Sequence, residues 1–199
     1  MAAKGYYSSD VIVIDLEASC PPEDEGQNDV SRSNIIEIGA VRLEGKTLNL
    51  VDTFSELVQP RDYPIPPYIA GLTGITPDMV ADKDDFGQVG RRFIEWYGPR
   101  SRGMLAAFGA YYDIPLLRKE CHAFGIRFGE HFVGGAMDVR TVALVWLAAQ
   151  GHHTGGLTIE RAIRRMGLEH LAFSKHRALD DARAGAAILQ YFHRAQVDI

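Results

Sequence analysis

The chain of 199 residues has few cysteines and lacks long apolar runs. Its two cysteines, Cys20 and Cys121, form neither a CxxC pair nor a zinc-binding spacing, so we predict reduced thiols of an intracellular protein. The start of the chain has no apolar segment like that of a signal peptide, and no apolar run approaches the roughly 18 residues that cross a bilayer. The sequence therefore predicts a soluble, cytoplasmic protein that has no membrane partner.

A basic charge excess and glycine-rich phosphate loops are also missing. The formal net charge is −5, so the chain lacks the whole-protein signature of a nucleic-acid-binding protein. Bound cations would reverse this charge locally if the acidic residues hold metal. No GxGxxG or GxxxxGK[ST] motif follows the first apolar run, which excludes Rossmann and P-loop nucleotide-binding proteins.

Apolar periodicity predicts one α/β domain over residues 1–199, because a chain of this length buries roughly 70% of its unfolded surface. The polar turn at 44–46 predicts that the first three strands form an antiparallel meander. The element order predicts a mixed five-stranded sheet flanked by helices. Strands are expected at 11–16, 35–43, 49–58, 105–108 and 137–139, a loop leading into a helix start at 71–77, and helices at 85–97, 114–124, 141–150, 157–166 and 180–195.

Two acids stand at the end of the first apolar run, VIVIDLE. If the strand continues, Asp15 and Glu17 lie on one face, because residues two apart in a strand point the same way. Two adjacent carboxylates repel each other, so such a pair either binds a divalent cation or shares a proton. The alternative is that the strand ends at Leu16 and both acids are solvated at its rim.

Two later segments add three further candidates. Asp181 is predicted in the first turn of the last helix, where a carboxylate is favoured by the helix dipole. His176 lies just before that helix, and an imidazole there can accept a proton from a metal-bound water at neutral pH, although it also fits an ordinary loop histidine. Asp180 has a simpler role as an N-cap or dipole partner. Asp113 is consistent either with metal binding or with the N-cap of a helix that begins at residue 114.

The combination and order of these segments resemble the DEDDh 3′-to-5′ exonucleases, the DnaQ-like or RNase T group, which have a ribonuclease H-like fold. VIVIDLEASC, LTGIT, FGAYYDIPLL and HRALDDARA carry the resemblance, which spans about residues 10–193. The DLEASC start, NIIEIGAV and FSELVQPRDYPIPPYIAGLTGIT are similar to the Eri-type branch, which includes exonucleases that trim histone mRNA and small RNAs. Two features depart from that branch: the loop at 21–32 is acidic, and the segment before Asp113 is Gly-Ala-Tyr-Tyr, where Eri-type members often carry a Trp.

The resemblance implies metal-dependent removal of nucleoside 5′-monophosphates from the 3′ ends of single-stranded RNA or DNA, with RNA favoured. Asp15, Glu17, Asp113 and Asp181 would hold two Mg²⁺ or Mn²⁺ ions, because hard oxygen ligands without cysteine favour these metals. His176 would be the general base, which makes these five residues the catalytic set. The resemblance also implies a homodimer, since related exonucleases are often dimers.

Binding of the terminal nucleotide needs small residues near the sugar and apolar or aromatic side chains against the bases. Phe108 fits core packing better than base stacking, whereas Tyr111 and Tyr112 fit either role. Scattered basic residues fit phosphate contacts or solvated surface charges. The paired histidines at 152–153 suggest a second metal site, but a polar loop explains them better. The predicted substrate contacts are Ala18, Ser19, Leu72, Thr73, Phe108, Tyr111 and Tyr112, and the candidate phosphate contacts are Arg100, Arg102, Lys175, Arg177 and Arg183.

Two rival functions remain to be compared with an exonuclease. A haloacid-type phosphatase also places an aspartate after an apolar strand, but it needs a second aspartate two residues later, where this chain has Glu17. A non-catalytic nucleic-acid-binding or polymerase-associated module on the same fold is expected to have lost at least one of the five residues. Since all five are present, the sequence favours an enzyme.

Overall fold

A computed structural model describes residues 7–24, 29–100, 102–132, 135–170 and 176–195. Within these residues, five strands form a mixed sheet in the order β3-β2-β1-β4-β5. The first three strands pair antiparallel, and β4 and β5 continue the sheet in parallel from β1. This confirms the predicted antiparallel meander followed by parallel strands. The strands are β1 (Asp10–Ser19), β2 (Asn34–Leu43), β3 (Leu50–Leu57), β4 (Gly103–Ala107) and β5 (Ala136–Asp138).

Helices cover both faces of the sheet, as the sequence predicted. In the described part of the chain, no helix has both the length and the apolar character that a membrane crossing requires. Two short 3₁₀ helices, Pro22–Asp24 and Val30–Arg32, lie between β1 and β2. The α-helices are α1 (Pro67–Thr73), α2 (Pro77–Val80), α3 (Phe86–Tyr97), α4 (Ala110–Ala123), α5 (Phe128–His131), α6 (Val139–Ala149), α7 (Ile159–Arg165) and α8 (Ala178–Ala195).

The predicted positions of two helices are wrong. Residues 71–73, predicted as loop, form the last turn of α1, which begins at Pro67 and ends before Gly74 in the left-handed conformation, φ 71°. Helix α4 begins at Ala110, four residues before the predicted start at 114. Pro115 therefore lies inside the helix and not in its first turn, where the prediction placed it. Proline has no N–H to donate within a helix, so it is favoured near the helix start. This preference does not specify at which early position it stands.

The alternation of side chains along β1 builds an apolar core on each face of the sheet. Val11 and Val13 pack with residues of α6, α7 and α8, whereas Ile12 and Ile14 pack with residues of α3 and α4. These four side chains are at most 1% exposed. Because burying one such side chain contributes about 1.5–3 kcal/mol, the two cores fix β1 firmly and thereby fix the residues that follow on the same strand.

Candidate active site

The candidate active site lies along β1, which continues past its apolar run to Ser19. Asp15 pairs with Gly39 and Glu17 pairs with Glu37 in the β1–β2 ladder. The alternative in which the strand ends at Leu16 is therefore wrong. By the strand period, Asp15 and Glu17 continue the face of Val11 and Val13, on which α8 packs. Glu17 is only 9% exposed, so this pair of acids is held against a helix rather than solvated at a rim.

Asp113 comes to the same place from α4. It is the fourth residue of that helix, with Gly109 at the N-cap position, so the interpretation of Asp113 as an N-cap is wrong. The Leu16 N–H donates to Asp113 Oδ1 at 3.1 Å. Because Leu16 stands between Asp15 and Glu17 in the sequence, this bond ties the third carboxylate directly to the strand that carries the first two.

The remaining two residues come from the start of α8. Asp181 lies in the first turn of this helix, and its Oδ2 accepts a hydrogen bond from the His176 N–H at 3.2 Å. His176 has the left-handed backbone conformation, φ 54°, which is uncommon outside glycine. Ligand atoms of Glu17, His176 and Asp181 all lie within 4.8 Å of one another. The structure therefore brings two carboxylates and an imidazole from distant parts of the chain into one group, which Asp15 and Asp113 adjoin.

Burial and mutual repulsion dominate the electrostatics of this group. Burial is the main cause that raises the pKa of Glu17 to about 8, and the neighbouring carboxylates, Asp181 first among them, raise it further. Burial likewise raises the pKa of Asp113 to about 7 and that of Asp181 to about 6. The pKa of Asp15 is raised well above its usual value by burial and then by Asp113 and Glu17.

These raised pKa values have a simple chemical meaning. Carboxylates that are buried together keep their protons unless a positive charge compensates them. The donors in the group are carboxylate oxygens and one imidazole, without sulfur, which fits a hard divalent cation. The residues present thus fit a divalent metal site.

A cleft with a volume of about 130 Å³ opens beside Glu17. Four of the predicted substrate contacts line it, namely Ala18, Leu72, Thr73 and Tyr112. Thr73 also has a structural role, since its hydroxyl donates to the Ile69 carbonyl at 2.9 Å and accepts from the Ile75 N–H. The full lining comprises Leu16, Glu17, Ala18, Cys20, Asp24, Ser33, Tyr68, Ile69, Leu72, Thr73 and Tyr112.

The structure places the other three predicted contacts away from this lining. The Ser19 side chain is fully buried, and its hydroxyl donates to the Tyr63 carbonyl at 3.1 Å. Phe108 is half-buried against the core that contains α6 and α8, as the core-packing alternative predicted. Tyr111 is 69% exposed. These side chains lie outside the cleft, although the backbone at Ser19 remains near it because Ala18 precedes it.

Several basic residues predicted as phosphate contacts have other partners. Arg102 pairs with Asp10 at 3.8 Å, and Arg100 donates to the Phe132 carbonyl. Both arginines precede β4, whose first residue pairs with the first residue of β1, so they lie at the opposite end of the strands from the site. Arg183 pairs with Asp180 at 3.1 Å. Lys175 lies outside the described residues. The two histidines at 152–153 are exposed in the segment between α6 and α7, for which a polar loop was the better interpretation.

Two residues of the site region escaped the sequence analysis. Tyr68 lies one turn before Leu72 on α1, and both are exposed and line the cleft. Because residues 71–73 were predicted as loop, the sequence analysis did not place Tyr68 and Leu72 four residues apart on one helical face. Glu37 is an acid within the apolar run of β2 and is 1% exposed. A charged residue inside a buried strand was a visible signal that a specific partner exists.

Gly39 allows α8 to approach the sheet closely enough to complete the site. A β-carbon added at Gly39 would lie 2.1 Å from the Ala178 carbonyl carbon. We therefore expect Gly39→Ala to push the start of α8 away from Asp15, to lower the free energy of unfolding by about 2 kcal/mol and to reduce metal binding. Thermal unfolding and calorimetric titration with Mn²⁺ measure both effects.

The matched control is Gly129→Ala in α5, where an added β-carbon meets nothing within 4 Å. This control should retain both stability and metal binding. Equal behaviour of the two variants would show that close approach at Gly39 is unimportant.

Comparisons with known proteins agree with this geometry. The RNase T exonuclease family model matches residues 12–189. The chain is 37% identical to mouse 3′-5′ exoribonuclease 1 (Mus musculus) over 103 residues. This aligned region covers 51% of this chain and 29% of that protein. It is 32% identical over 153 residues to a DNA polymerase III subunit epsilon-like protein of Rhodobacter capsulatus, covering 76% of this chain and 20% of that protein.

Among solved structures, the nuclease domain of 3′hExo, a DEDDh family member bound to rAMP, superposes with a TM-score of 0.78 at 23% identity. The match covers 97% of this chain and 95% of that one, which confirms the predicted ribonuclease H-like fold. The chain spans only a fifth to a third of the two curated relatives' lengths. It belongs to the RNase T exonuclease family, and the predicted resemblance to the Eri-type branch of the DEDDh exonucleases is confirmed.

Proposed function

We propose that this protein is a metal-dependent 3′-to-5′ exonuclease that hydrolyses single-stranded nucleic acid and releases nucleoside 5′-monophosphates. The observation that carries the proposal is the meeting of Glu17, His176 and Asp181 within 4.8 Å, beside the half-buried carboxylate of Asp15 and the buried carboxylate of Asp113. Membership of the exonuclease family supports it, because each of the five residues predicted from the family's motifs lies in or beside this group.

The carboxylates of Asp15, Glu17, Asp113 and Asp181 would hold two Mg²⁺ or Mn²⁺ ions. When bound, such ions act as Lewis acids that stabilise negative charge on the reacting phosphate. His176 accepts the proton of the attacking water at an imidazole nitrogen. The His176 N–H bond to Asp181 restrains the backbone turn that carries the imidazole, which places the base next to one of the cation ligands.

The cleft accounts for selection of a chain end. The cleft opens directly beside Glu17, so a single unpaired nucleotide that enters it brings its phosphate to the acids. Tyr68 and Leu72 offer an aromatic and an apolar surface on the same side of α1, against which a terminal base can stack. The Ala18 backbone, next to Glu17, is positioned to contact the sugar of that nucleotide. Only the last phosphodiester then reaches the acids.

We propose RNA as the favoured substrate, with DNA as the second. Support comes from relatives, since the mouse protein is named an exoribonuclease and another superposed structure concerns a 3′-exonuclease that recognises the histone mRNA stem-loop. The Rhodobacter relative instead favours the second candidate function, a module associated with a DNA polymerase. The presence of all five residues argues against a non-catalytic form of that module.

The test is digestion of 5′-labelled single-stranded RNA and DNA of matched sequence, in Mg²⁺, Mn²⁺ or EDTA. We expect a ladder that shortens from the 3′ end, needs a divalent cation and is faster on RNA. A substrate with a blocked 3′ end should resist digestion. If neither polymer is shortened by the wild-type protein, the proposed function is wrong; cleavage within a circular substrate would instead indicate an endonuclease.

Asp181 and Asp180 offer a matched pair of variants in one helical turn. Asp181→Asn is expected to lower kcat about 10³-fold, because a cation ligand beside Glu17 and His176 is lost. Asp180→Asn should change kcat less than about twofold, since Asp180 pairs with Arg183 on the outer side of the turn. Equal losses in both variants would contradict the assignment of Asp181 as a ligand.

We also propose a cytoplasmic location and a homodimer. Cys20 and Cys121 form neither a CxxC pair nor a zinc-binding spacing, which suits a reducing compartment. Sedimentation equilibrium of the purified protein tests the dimer, and fractionation of cells tests the location.

A further inference from the structure

Glu37 on β2 makes a dense set of hydrogen bonds with the segment that joins His176 to α8. Its Oε1 accepts from Arg177 Nη2 at 2.7 Å, and both carboxylate oxygens accept from Arg177 Nε at 3.2 Å. Its Oε2 also accepts from the Ala178 N–H at 2.9 Å. The carboxylate is thus engaged by a guanidinium and by the first residue of α8, a charge-assisted arrangement that is stronger than neutral hydrogen bonds.

The position of this pair links it to the active site. Glu37 stands opposite Glu17 in the β1–β2 ladder. Arg177 directly follows His176, and its carbonyl accepts the first hydrogen bond of α8, from the Asp181 N–H at 3.0 Å. A displacement of Arg177 therefore moves both the imidazole and the Asp181 carboxylate relative to Glu17.

The backbone before α8 needs such a restraint. His176 has φ 54°, a conformation that costs free energy in a residue with a β-carbon and persists only where its surroundings hold it. The His176 N–H bond to Asp181 holds the turn from the helix side. The Glu37–Arg177 pair holds the turn from the sheet side, because Glu37 lies on β2, 140 residues before Arg177 in the chain.

Charge supports the same conclusion. Glu37 lies near enough to the acidic group to raise the pKa of Asp15 and Glu17, whereas Arg177 lowers that of Glu17. The Arg177 guanidinium thus offsets the negative charge that Glu37 brings to the group. Since hydrogen bonds from Arg177 and Ala178 already engage both of its oxygens, Glu37 is suited to positioning rather than to metal ligation.

We propose that Glu37 and Arg177 form a positioning pair that holds the His176 turn and the start of α8, so that His176 and Asp181 meet Glu17 in reactive geometry. The proposal rests on the proposed exonuclease function and deepens it. It also reassigns Arg177, which the sequence suggested as a phosphate contact. The rival view is that Arg177 binds the substrate phosphate, and that Glu37 only pairs with the Arg177 side chain while no substrate is bound.

The two views predict opposite results for Glu37→Gln. A positioning pair that loses its charge should lower kcat about 10²-fold with KM unchanged, because small displacements of reacting groups carry losses of this size. Arg177→Ala should resemble it, and the double variant should lose no more than either single variant, since the pair acts as one unit. Arg177→Lys should recover part of kcat, because lysine retains the charge but not the fork-shaped donor.

A direct phosphate contact would give a different pattern. Glu37→Gln would free Arg177 and leave kcat unchanged, while Arg177→Ala would raise KM for the oligonucleotide more at low salt than at high salt. That pattern would overturn the proposal. Unfolding curves of each variant identify losses that come from misfolding, and Arg177→Lys provides a second test if Glu37→Gln fails to fold.

Hydrogen exchange gives a readout that does not depend on activity. In Glu37→Gln, the amides of Ala178 and Asp181 should exchange at least about tenfold faster than in the wild type, while amides in the middle of β1 remain unchanged. Unchanged exchange at the start of α8 would overturn the positioning role even if the wild-type protein proved inactive. Failure of the exonuclease assay alone would instead count against the proposed function.

Discussion

Asp15→Asn is expected to abolish hydrolysis and, at the same time, to stabilise the metal-free protein. Asp15 is surrounded by like charges, and burial followed by Asp113 and Glu17 raises its pKa well above the usual value. A neutral amide of the same shape removes that repulsion, so we expect the free energy of unfolding at pH 7.5 to rise by about 1–2 kcal/mol. For a chain of this length, that gain corresponds to a rise in Tm of roughly 2–8 °C.

The loss of activity should be about 10³-fold or more, because a carboxamide cannot replace the charge that holds a divalent cation. The variant should also lose the stabilisation that added Mg²⁺ or Mn²⁺ gives to the wild type by mass action. Thermal unfolding with and without metal, together with the digestion assay, measures these effects. Asp82→Asn is the control, because this aspartate is 79% exposed and pairs with Lys83. A metal-free Asp15→Asn protein that is markedly less stable than the wild type would contradict the repulsion argument.

The opposite signs of these two effects explain why part of the site was predictable from sequence. An acid that is expected to destabilise the metal-free fold has no structural reason to follow an apolar strand, so its presence in VIVIDLE indicates function. The strand period alone placed Asp15 and Glu17 on one face, and β1 confirms that the strand continues through both. Likewise, the dipole argument placed Asp181 in the first turn of the last helix, where the structure has it.

Other features depended on information that one sequence does not contain. Pro115 indicated a helix start but not that the helix begins at Ala110, because proline is tolerated at more than one early position. Prolines and glycines around 66–74 indicated a loop, so the exposed Tyr68 on α1 was missed as a residue of the cleft. The Glu37–Arg177 pair joins residues 140 positions apart, and no local pattern specifies such a contact. Local chemistry was therefore predictable, whereas the contacts that orient it were not.

The metal-free protein is expected to lose stability as the pH rises from about 5 to 8. The pKa of Glu17 is raised from 4.5 to about 8, mainly by burial, and that of Asp113 from 3.8 to about 7. Between the unfolded and folded values, the folded chain binds more protons than the unfolded chain. Stability from these groups is therefore complete below about pH 4 and falls as the pH rises through the folded values. Each pKa unit corresponds to about 1.4 kcal/mol, so the expected decrease in the free energy of unfolding amounts to several kcal/mol.

Divalent cations should reverse this trend, because they bind the deprotonated carboxylates and release the protons that the metal-free site retains. The rise in Tm caused by a fixed concentration of Mn²⁺ should consequently be small at pH 5.5 and largest near pH 8. Differential scanning calorimetry across this range, with EDTA or Mn²⁺, measures both slopes. In Glu17→Gln the metal-free slope should become shallower, since the group whose pKa shifts to about 8 is gone. A metal-induced rise in Tm that is equal at all pH values would show that cations bind elsewhere, because a site built from these protonated acids must exchange protons for metal.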